Sequence, residues 1–246
     1  MASQISGYNY RPGMYTPKRP TGSQLAENYF RELDKRLIEG KKAKKAPTEI
    51  PPTICFSRKI GVGALNIADI LAPRIGYNVV DREILEHIAK EEKLSEKTVA
   101  RFDEQYTGKL NELVSFLFAE KSFIKSDYAR YLFKSVLSIA GVSPTIFVGR
   151  GTHLILPRER VLAVRFICSE AYRIDRLVEM LGCTPEEARA KLVDTDKEQR
   201  AFFNKVFGKK DAIAYEFDLV INCDYISRPE DAADIVECAF KRKFRI

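Results

Sequence analysis

Residues 57–67 read "SRKIGVGALNI" and lie between a short apolar run and a stretch with helical spacing. Gly61 and Gly63 allow the chain to turn tightly, and a helix that begins directly afterwards presents backbone N–H groups that can bind an anion. A Walker A loop ends in Gly-Lys-Ser/Thr, whereas here Gly63 is followed by Ala64 and Leu65, which supply neither an amine nor a hydroxyl. The stretch is therefore either a phosphate-binding loop that lacks its lysine or a structural turn between a strand and a helix.

Strands and helices alternate along the chain on both sides of this stretch. The predicted strands are "TICF" (53–56), "YNVVD" (77–81), "PTIFV" (144–148), "VLAVRFIC" (161–168) and "FDLVIN" (217–222). One helix is predicted directly after the glycine turn, and three more at 82–92, 95–104 and about 109–141. A further helix runs from a Ser169 cap to Gly182, another starts at a Thr184 cap, and a last one lies at 228–243. Continuous apolar strands alternating with helices predict an α/β fold, in which a parallel sheet is covered on both faces.

Residues that can bind a ligand follow three of these strands. The glycine turn follows the first strand, Asp81 ends the second, and Arg150 follows the third between Gly149 and Gly151. In parallel sheets, ligands bind beyond the carboxyl ends of the strands, so these residues are expected to line one crevice. Arg150 is either a charged turn residue or, because its neighbours are small, an accessible guanidinium for a bidentate phosphate contact.

The composition limits the class of protein. A chain of 246 residues suits one α/β domain with an extension, and no apolar run approaches the roughly 20 residues of a membrane span. The N-terminal residues lack the apolar core of a signal peptide. The five cysteines are widely spaced and form no CxxC pair, which indicates buried thiols in a reducing compartment. We therefore expect a soluble, cytoplasmic protein without a zinc site, a disulfide framework or a membrane partner.

The basic charge is concentrated in an N-terminal extension, residues 1–50. This segment carries ten Lys and Arg against five Asp and Glu, which accounts for most of the net charge of +7. The run "KKAKK" at 41–45 is either a solvated flexible arm or a contact with nucleic acid or an acidic partner. Residues 1–22 show no periodicity and are expected either to be poorly ordered or to pack only against a neighbour.

One amphipathic helix is predicted within the extension, at 23–39. Ser23 can cap it and Gly40 can end it. Its apolar stripe consists of Leu25, Tyr29, Phe30, Leu33 and Leu37. Such a stripe must be buried either on the domain or on a second chain, so a homodimer through this helix is one expectation.

Four segments of the chain follow one another in a recognisable order. They are the loop at 57–64, "VDREI" at 80–84, "VGRG" at 148–151 and "DKEQR" at 196–200. They resemble the Ser-Arg-x-x-Gly-Ser-Gly-Gly loop, the Tyr-Asp-Lys/Arg-Glu-Ile/Leu element, the Val-Gly-Arg-Gly strand end and the Asp-Lys-Glu-x-Arg lid of the cytidylate kinase-like branch of the nucleoside monophosphate kinases. The resemblance covers 53–240 and implies a P-loop NTPase core at 53–246 with a helical acceptor and lid region.

The resemblance also implies a reaction, namely transfer of the ATP γ-phosphoryl group to a nucleoside monophosphate or similar phosphate acceptor, with Mg²⁺. The loop residues implied to hold the donor are Ser57, Arg58, Lys59, Gly61, Val62, Gly63, Ala64 and Leu65. The residues implied to act in the transfer are Arg150, Arg200 and Asp81, and those implied to bind substrate are Arg130, Arg173 and Asp196. No residue is assigned as a metal ligand.

The chain departs from the family pattern at the positions that carry its chemistry. Ala64 stands where ordinary cytidylate kinases have the loop lysine and where this branch commonly has glycine, and Val62 replaces the loop serine. Val148 and Gly151 replace the two carboxylates that flank the strand-end arginine in ordinary cytidylate kinases. Three functions therefore stay open: a phosphotransferase, a catalytically inactive nucleotide-sensing or scaffold module, and a nucleic-acid-associated protein that uses the basic arm.

Overall fold

The structure is a computed structural model that describes residues 4–5, 8–9, 20–40, 50–90 and 127–246. Its strands are β1 (Gln4–Ile5), β2 (Tyr8–Asn9), β3 (Thr53–Arg58), β4 (Asn78–Asp81), β5 (Thr145–Val148), β6 (Val161–Ile167) and β7 (Leu219–Asn222). Its helices are α1 (Gly22–Gly40), α2 (Ala64–Ile75), α3 (Arg82–Lys90), α4 (Asp127–Val142), α5 (Glu170–Leu181), α6 (Pro185–Phe207) and α7 (Pro229–Phe244). The helices predicted at 95–104 and over the first part of 109–141 lie outside the described residues, as does the basic run at 41–45.

Five strands form a parallel sheet in the order β4-β5-β3-β6-β7, while β1 and β2 form a separate antiparallel pair. The central strand β3 is buried along its whole length. Its side chains alternate between two cores, since Ile54 and Phe56 face one and Cys55 faces the other. The predicted α/β fold with a parallel sheet covered on both faces is therefore confirmed.

The two cores place the helices on opposite faces of the sheet. Helices α2 and α7 cover one face, and α1, α3, α4 and the C-terminal end of α6 cover the other. A third, smaller apolar cluster joins α5 to α6 and includes Ile60 from the glycine loop. The pair α5 and α6 therefore packs over the carboxyl ends of the strands through the loop itself.

The helix caps follow the local sequence. The Ser169 hydroxyl accepts a hydrogen bond from the Tyr172 N–H, and Thr184 forms a reciprocal capping box with Glu187. The predicted Ser23 cap is wrong, because α1 begins one residue earlier and Thr21 takes this role. Thr21 Oγ1 accepts from Gln24 N–H at 3.2 Å, and Gln24 Oε1 accepts from Thr21 N–H at 2.9 Å. Thr21 to Gln24 has the spacing of a capping box, so the sequence did contain this signal.

The first half of the N-terminal helix packs on the domain. Ala26, Tyr29 and Phe30 are buried in the same core as α3 and α4. The side chains of Leu33 and Leu37 lie outside the described set, so a homodimer through this helix stays a prediction. Within the described ranges, no helix is both long enough and apolar enough to span a membrane.

Candidate functional site

The glycine loop joins β3 to α2 through two residues that need glycine. Gly61 and Gly63 have φ of +88° and +87°, a conformation that other residues rarely adopt, and Gly63 is the N-cap of α2. The side chains of Val62, Ala64 and Leu65 are each 2% exposed and pack into the core beneath the loop. Residues 61–65 can therefore offer an anion backbone N–H groups and the positive end of the helix dipole, but no polar side chain.

A cationic side chain that the sequence reasoning missed lies directly on this loop. A Cβ placed on Gly63 would lie 2.8 Å from Arg176 Nη2 and 3.0 Å from Arg176 Cζ. The guanidinium of Arg176, which is half-buried on α5, therefore covers the loop backbone at the start of α2. Its only signal in the sequence is its position one helical turn after Arg173.

Two of the residues predicted to bind substrate pair with each other here. Arg173 donates to both Asp196 carboxylate oxygens, at 2.9 and 2.7 Å, and its Nε donates to the Ile60 carbonyl at 2.6 Å. The Arg173 side chain is 6% exposed and that of Asp196 is 16% exposed. In this structure the pair ties α5, α6 and the glycine loop together.

Side chains from β6 and α6 form hydrogen bonds with the end of β3. Arg165 on β6 donates to Ser57 Oγ at 3.1 Å and to both Asp211 oxygens at 3.2 Å. The Arg58 carbonyl accepts from Gln199 Nε2 at 3.0 Å, which brings the middle of α6 onto the strand end. Ser57 and Arg58 thus lie at the predicted crevice, and both contact neighbouring elements.

Three arginines converge on one cavity at this edge of the sheet. The residues that line it are Ser57, Arg58, Arg82, Gly149, Arg150, Gly151, Gln199, Phe202 and Phe203. Arg82 was not predicted as a site residue, although it directly follows Asp81 at the end of β4. We call this space the arginine cavity.

The side chain of Arg150 is largely enclosed by its neighbours. It has φ of +56°, its side chain is 7% exposed, and its guanidinium carbon lies 4.0 Å from the centre of the Phe202 ring. It forms an ion pair with Glu86, whose carboxylate also accepts from Arg82 Nε at 2.7 Å. The Nε of Arg150 is buried and has no hydrogen-bond partner among the described residues.

The electrostatics of the arginine cavity favour an anion. Burial lowers the pKa of Arg150 well below its usual value, the neighbouring cations Arg82 and Arg58 lower it further, and the carboxylates of Glu198 and Glu83 oppose this shift. The three guanidinium groups therefore repel one another in a space where little water screens their charge. An anion placed there would relieve the repulsion among the guanidinium groups.

A second cavity adjoins the arginine cavity. Its lining residues are Lys59, Asp196, Gln199, Arg200, Phe203, Lys210 and Asp211. Gln199 and Phe203 of α6 line both cavities, so the two spaces are neighbours. Arg200, predicted to act in the transfer, is exposed and lines this second cavity.

Two predicted residues lie elsewhere or have another role in the structure. The Asp81 carboxylate is buried and accepts a hydrogen bond from the Ile84 N–H at 3.0 Å, which caps α3. The Arg130 side chain is 56% exposed, pairs with Asp127 at 3.1 Å and lines neither cavity. The structure therefore brings together Arg58, Arg150 and the glycine loop, and leaves Arg130 outside.

Comparison with known proteins relates this geometry to a family. The model of the cytidylate kinase-like family matches residues 53–225. An uncharacterized protein from Eubacterium ventriosum has a similar structure, with a TM-score of 0.58, 18% identity, and coverage of 78% of this chain and 98% of that one. A shikimate kinase from Bacteroides thetaiotaomicron has a TM-score of 0.43 at 11% identity, covering 77% of this chain and 98% of that one. No curated protein sequence matches the chain.

The family match contains the glycine loop, the arginine cavity and the helices α5 and α6. The protein belongs to the cytidylate kinase-like family.

Proposed function

We propose that this protein is a phosphotransferase that moves the γ-phosphoryl group of ATP to a nucleoside monophosphate or a similar phosphate-bearing acceptor. One observation carries the proposal: two cation-lined cavities lie at the same sheet edge and share Gln199 and Phe203. Phosphoryl transfer asks a protein mainly to position two phosphate groups and to supply positive charge around the migrating one.

On the donor side, the glycine loop and Arg176 are the groups suited to hold a triphosphate. The loop has lost the lysine that usually reaches the phosphates, yet the Arg176 guanidinium lies over Gly63 at the start of α2. Guanidinium groups bind phosphate oxygens in a bidentate manner, so Arg176 can supply the charge that Ala64 cannot. Lys59, which is exposed on the loop, lines the adjoining cavity.

On the acceptor side, the arginine cavity is suited to a phosphate. Arg150 has an Nε without a hydrogen-bond partner in the described part of the chain, and it has two cationic neighbours, which together favour a multiply charged anion. Arg200 on α6 is exposed at the second cavity, where a movement of the helix can bring it toward the migrating group. In this proposal Arg150 and Arg200 neutralise developing charge, while Arg58 and Arg82 position the acceptor.

ATP and Mg²⁺ fit the residues that are present. Backbone N–H groups and Arg176 suit the phosphates of ATP, and Mg²⁺ is commonly bound through substrate phosphates and water with few protein ligands. Within the described residues, no group of three or more His, Cys, Asp or Glu side chains could hold a metal ion. When bound, Mg²⁺ would supply positive charge between the β- and γ-phosphates.

The test is direct detection of products. Purified protein is incubated with Mg·ATP and a panel of nucleoside and deoxynucleoside monophosphates, and ADP and nucleoside diphosphates are separated by chromatography. Arg150→Ala is expected to lower kcat by about 10²–10³-fold, the usual effect of removing one group that stabilises transition-state charge. Arg228→Ala is the matched control, because Arg228 is 72% exposed and lies at the start of α7.

The outcome separates the proposal from its alternatives. Acceptor-dependent ADP that is lost in Arg150→Ala and kept in Arg228→Ala supports the phosphotransferase. No product, together with a rise in melting temperature on adding nucleotide, supports an inactive nucleotide-binding module. Binding to DNA or RNA that weakens steeply with salt and disappears on deleting residues 1–50 supports the nucleic-acid-associated protein.

A further inference from the structure

The Glu86 carboxylate lies against two of the three guanidinium groups of the arginine cavity. It pairs with Arg150 and accepts from Arg82 Nε at 2.7 Å. The side chains of Glu86, Arg82 and Arg150 are 19%, 16% and 7% exposed, so this contact is largely screened from solvent. Glu86 therefore acts as an internal counter-ion for the cavity.

We propose that Glu86 occupies the place of a phosphate dianion, and that the phosphate of the acceptor displaces it from Arg150. This inference rests on the proposed function, because it names the charge state that the acceptor must have. It assigns Glu86 as a residue that determines specificity, through competition with the ligand for the same cation.

The N–H donors of Arg150 can bind an anion that has more oxygens than a carboxylate. A guanidinium carries five N–H donors, and the Nε–H of Arg150 is buried without a partner among the described residues. A carboxylate has two oxygens, whereas a phosphate monoester dianion has three terminal oxygens and twice the charge. A dianion can therefore satisfy more of the donors around the cavity than Glu86 does.

The position of Glu86 on its helix shows which contact must break. Arg82 and Glu86 are four residues apart on α3, so helix geometry keeps them neighbours whatever occupies the cavity. Arg150 lies in the turn after β5, far from Glu86 in sequence, so only tertiary packing brings the two side chains together. Displacement therefore means loss of the Arg150–Glu86 pair while the Arg82–Glu86 pair persists.

The competition excludes weaker ligands. A neutral hydroxyl acceptor offers Arg150 no negative charge in exchange for the Glu86 carboxylate, and a monoanionic carboxylate would only replace one carboxylate with another. Only a dianion adds charge to the cavity in exchange for Glu86. The acceptor class that fits is a phosphate monoester, and inorganic phosphate and sulfate share the chemistry that the cavity recognises.

The test measures anion binding without turnover. Full-length wild type and Glu86→Gln are titrated with inorganic phosphate at pH 7.5 in a calorimeter, and then with sulfate and acetate. Removing the competing charge is expected to tighten phosphate and sulfate binding about tenfold, while acetate stays weak in both proteins. Glu170→Gln is the matched control, because Glu170 is 64% exposed, pairs with the exposed Arg189 at 3.3 Å and lines neither cavity.

Each outcome decides the inference. Tighter phosphate binding in Glu86→Gln, with a change below about twofold in Glu170→Gln, supports it. Equal affinities in wild type and Glu86→Gln, or equal gains in both variants, would overturn it. If Glu86→Gln does not fold, Glu86→Asp replaces it: the shorter side chain keeps its charge but retracts from Arg150, and phosphate must then bind more tightly than to wild type.

The same measurements separate this inference from the proposed function. If the wild type forms no ADP but Glu86→Gln binds phosphate more tightly, the displaceable counter-ion is supported and the phosphotransferase is not. If the wild type transfers phosphoryl groups and the acceptor KM is unchanged in Glu86→Gln, the phosphotransferase is supported and the displaceable counter-ion is not.

Discussion

Substitution of Gly151 by alanine tests whether helix α6 is packed on the strand end that carries Arg150. A Cβ at this position would lie 2.5 and 2.7 Å from ring carbons of Phe207 and 3.3 Å from Phe203. These rings are buried in the core, so they cannot swing away as a flexible surface side chain would. Gly151 also has φ of +66°, which strains any residue that carries a side chain.

The two effects can be separated with a second glycine. Gly208 has φ of +64°, and nothing lies within 4 Å of a Cβ placed there. Gly208→Ala therefore reports the backbone strain alone, roughly 1–2 kcal/mol in the left-handed region. Gly151→Ala adds an overpacking cost of about 1–3 kcal/mol, because the Phe203 and Phe207 rings have to shift.

Urea unfolding followed by circular dichroism gives the free energy of unfolding for both variants. We expect Gly151→Ala to be less stable than Gly208→Ala by about 1–3 kcal/mol, with an unchanged m-value. Equal stabilities of the two variants would refute the reasoning, because they would mean that Phe207 does not lie against Gly151. The position of α6 over both cavities would then have to be revised.

Three further predictions concern the glycine loop and a buried histidine. Asp196→Ala leaves Arg173 buried without its carboxylate partner and is expected to lower the free energy of unfolding by about 3–5 kcal/mol; denaturant unfolding measures this, and a loss below about 1 kcal/mol would contradict a buried pair. Arg176→Leu is expected to raise the KM for ATP at least about tenfold with little change in the acceptor KM, and steady-state kinetics in which only the acceptor KM rises would remove Arg176 from the donor side. His153 is buried beside Glu216, and burial lowers its pKa to about 4. Because the unfolded histidine binds its proton near pH 6.5, the stability due to neutral His153 is complete above that pH. It is lost as the pH falls toward 4, with a slope of up to about 1.4 kcal/mol per pH unit. The free energy of unfolding, measured between pH 7 and pH 4, should depend less steeply on pH in His153→Gln than in the wild type. Identical slopes in the two proteins would mean that His153 is not the cause of the pH dependence.

The sequence identified the strands and helices that follow local rules. Ser169, Thr184 and the two loop glycines act through neighbours within about four residues, so their roles could be assigned without knowing the fold. The Thr21 capping box is equally local, and Ser23, two residues later, is a competing cap signal that the structure does not use. The family could also be predicted from the order of four motifs, and its model matches residues 53–225.

The candidate site could be predicted only in part. Arg150 and the glycine loop follow strands of one parallel sheet, and a general rule places such residues at a common edge. That rule also located Asp81, but not its function as the cap of α3, which depends on the orientation of the carboxylate. Arg130 has the same chemistry as Arg150, but it lies on α4 with its side chain 56% exposed, whereas Arg150 lies in the turn after β5.

By itself, the sequence determined the α/β fold, the glycine turn and the family, because apolar periodicity, turn residues and caps depend on neighbours along the chain. Only the tertiary structure placed Arg176 on Gly63, set Glu86 against Arg150, and paired Arg173 with Asp196. Each of these contacts joins elements that are far apart in sequence. These contacts depend on how α3, α5 and α6 pack around the strand ends. They could not be predicted from the sequence, because hydrophobic periodicity does not specify how helices are oriented over a sheet edge.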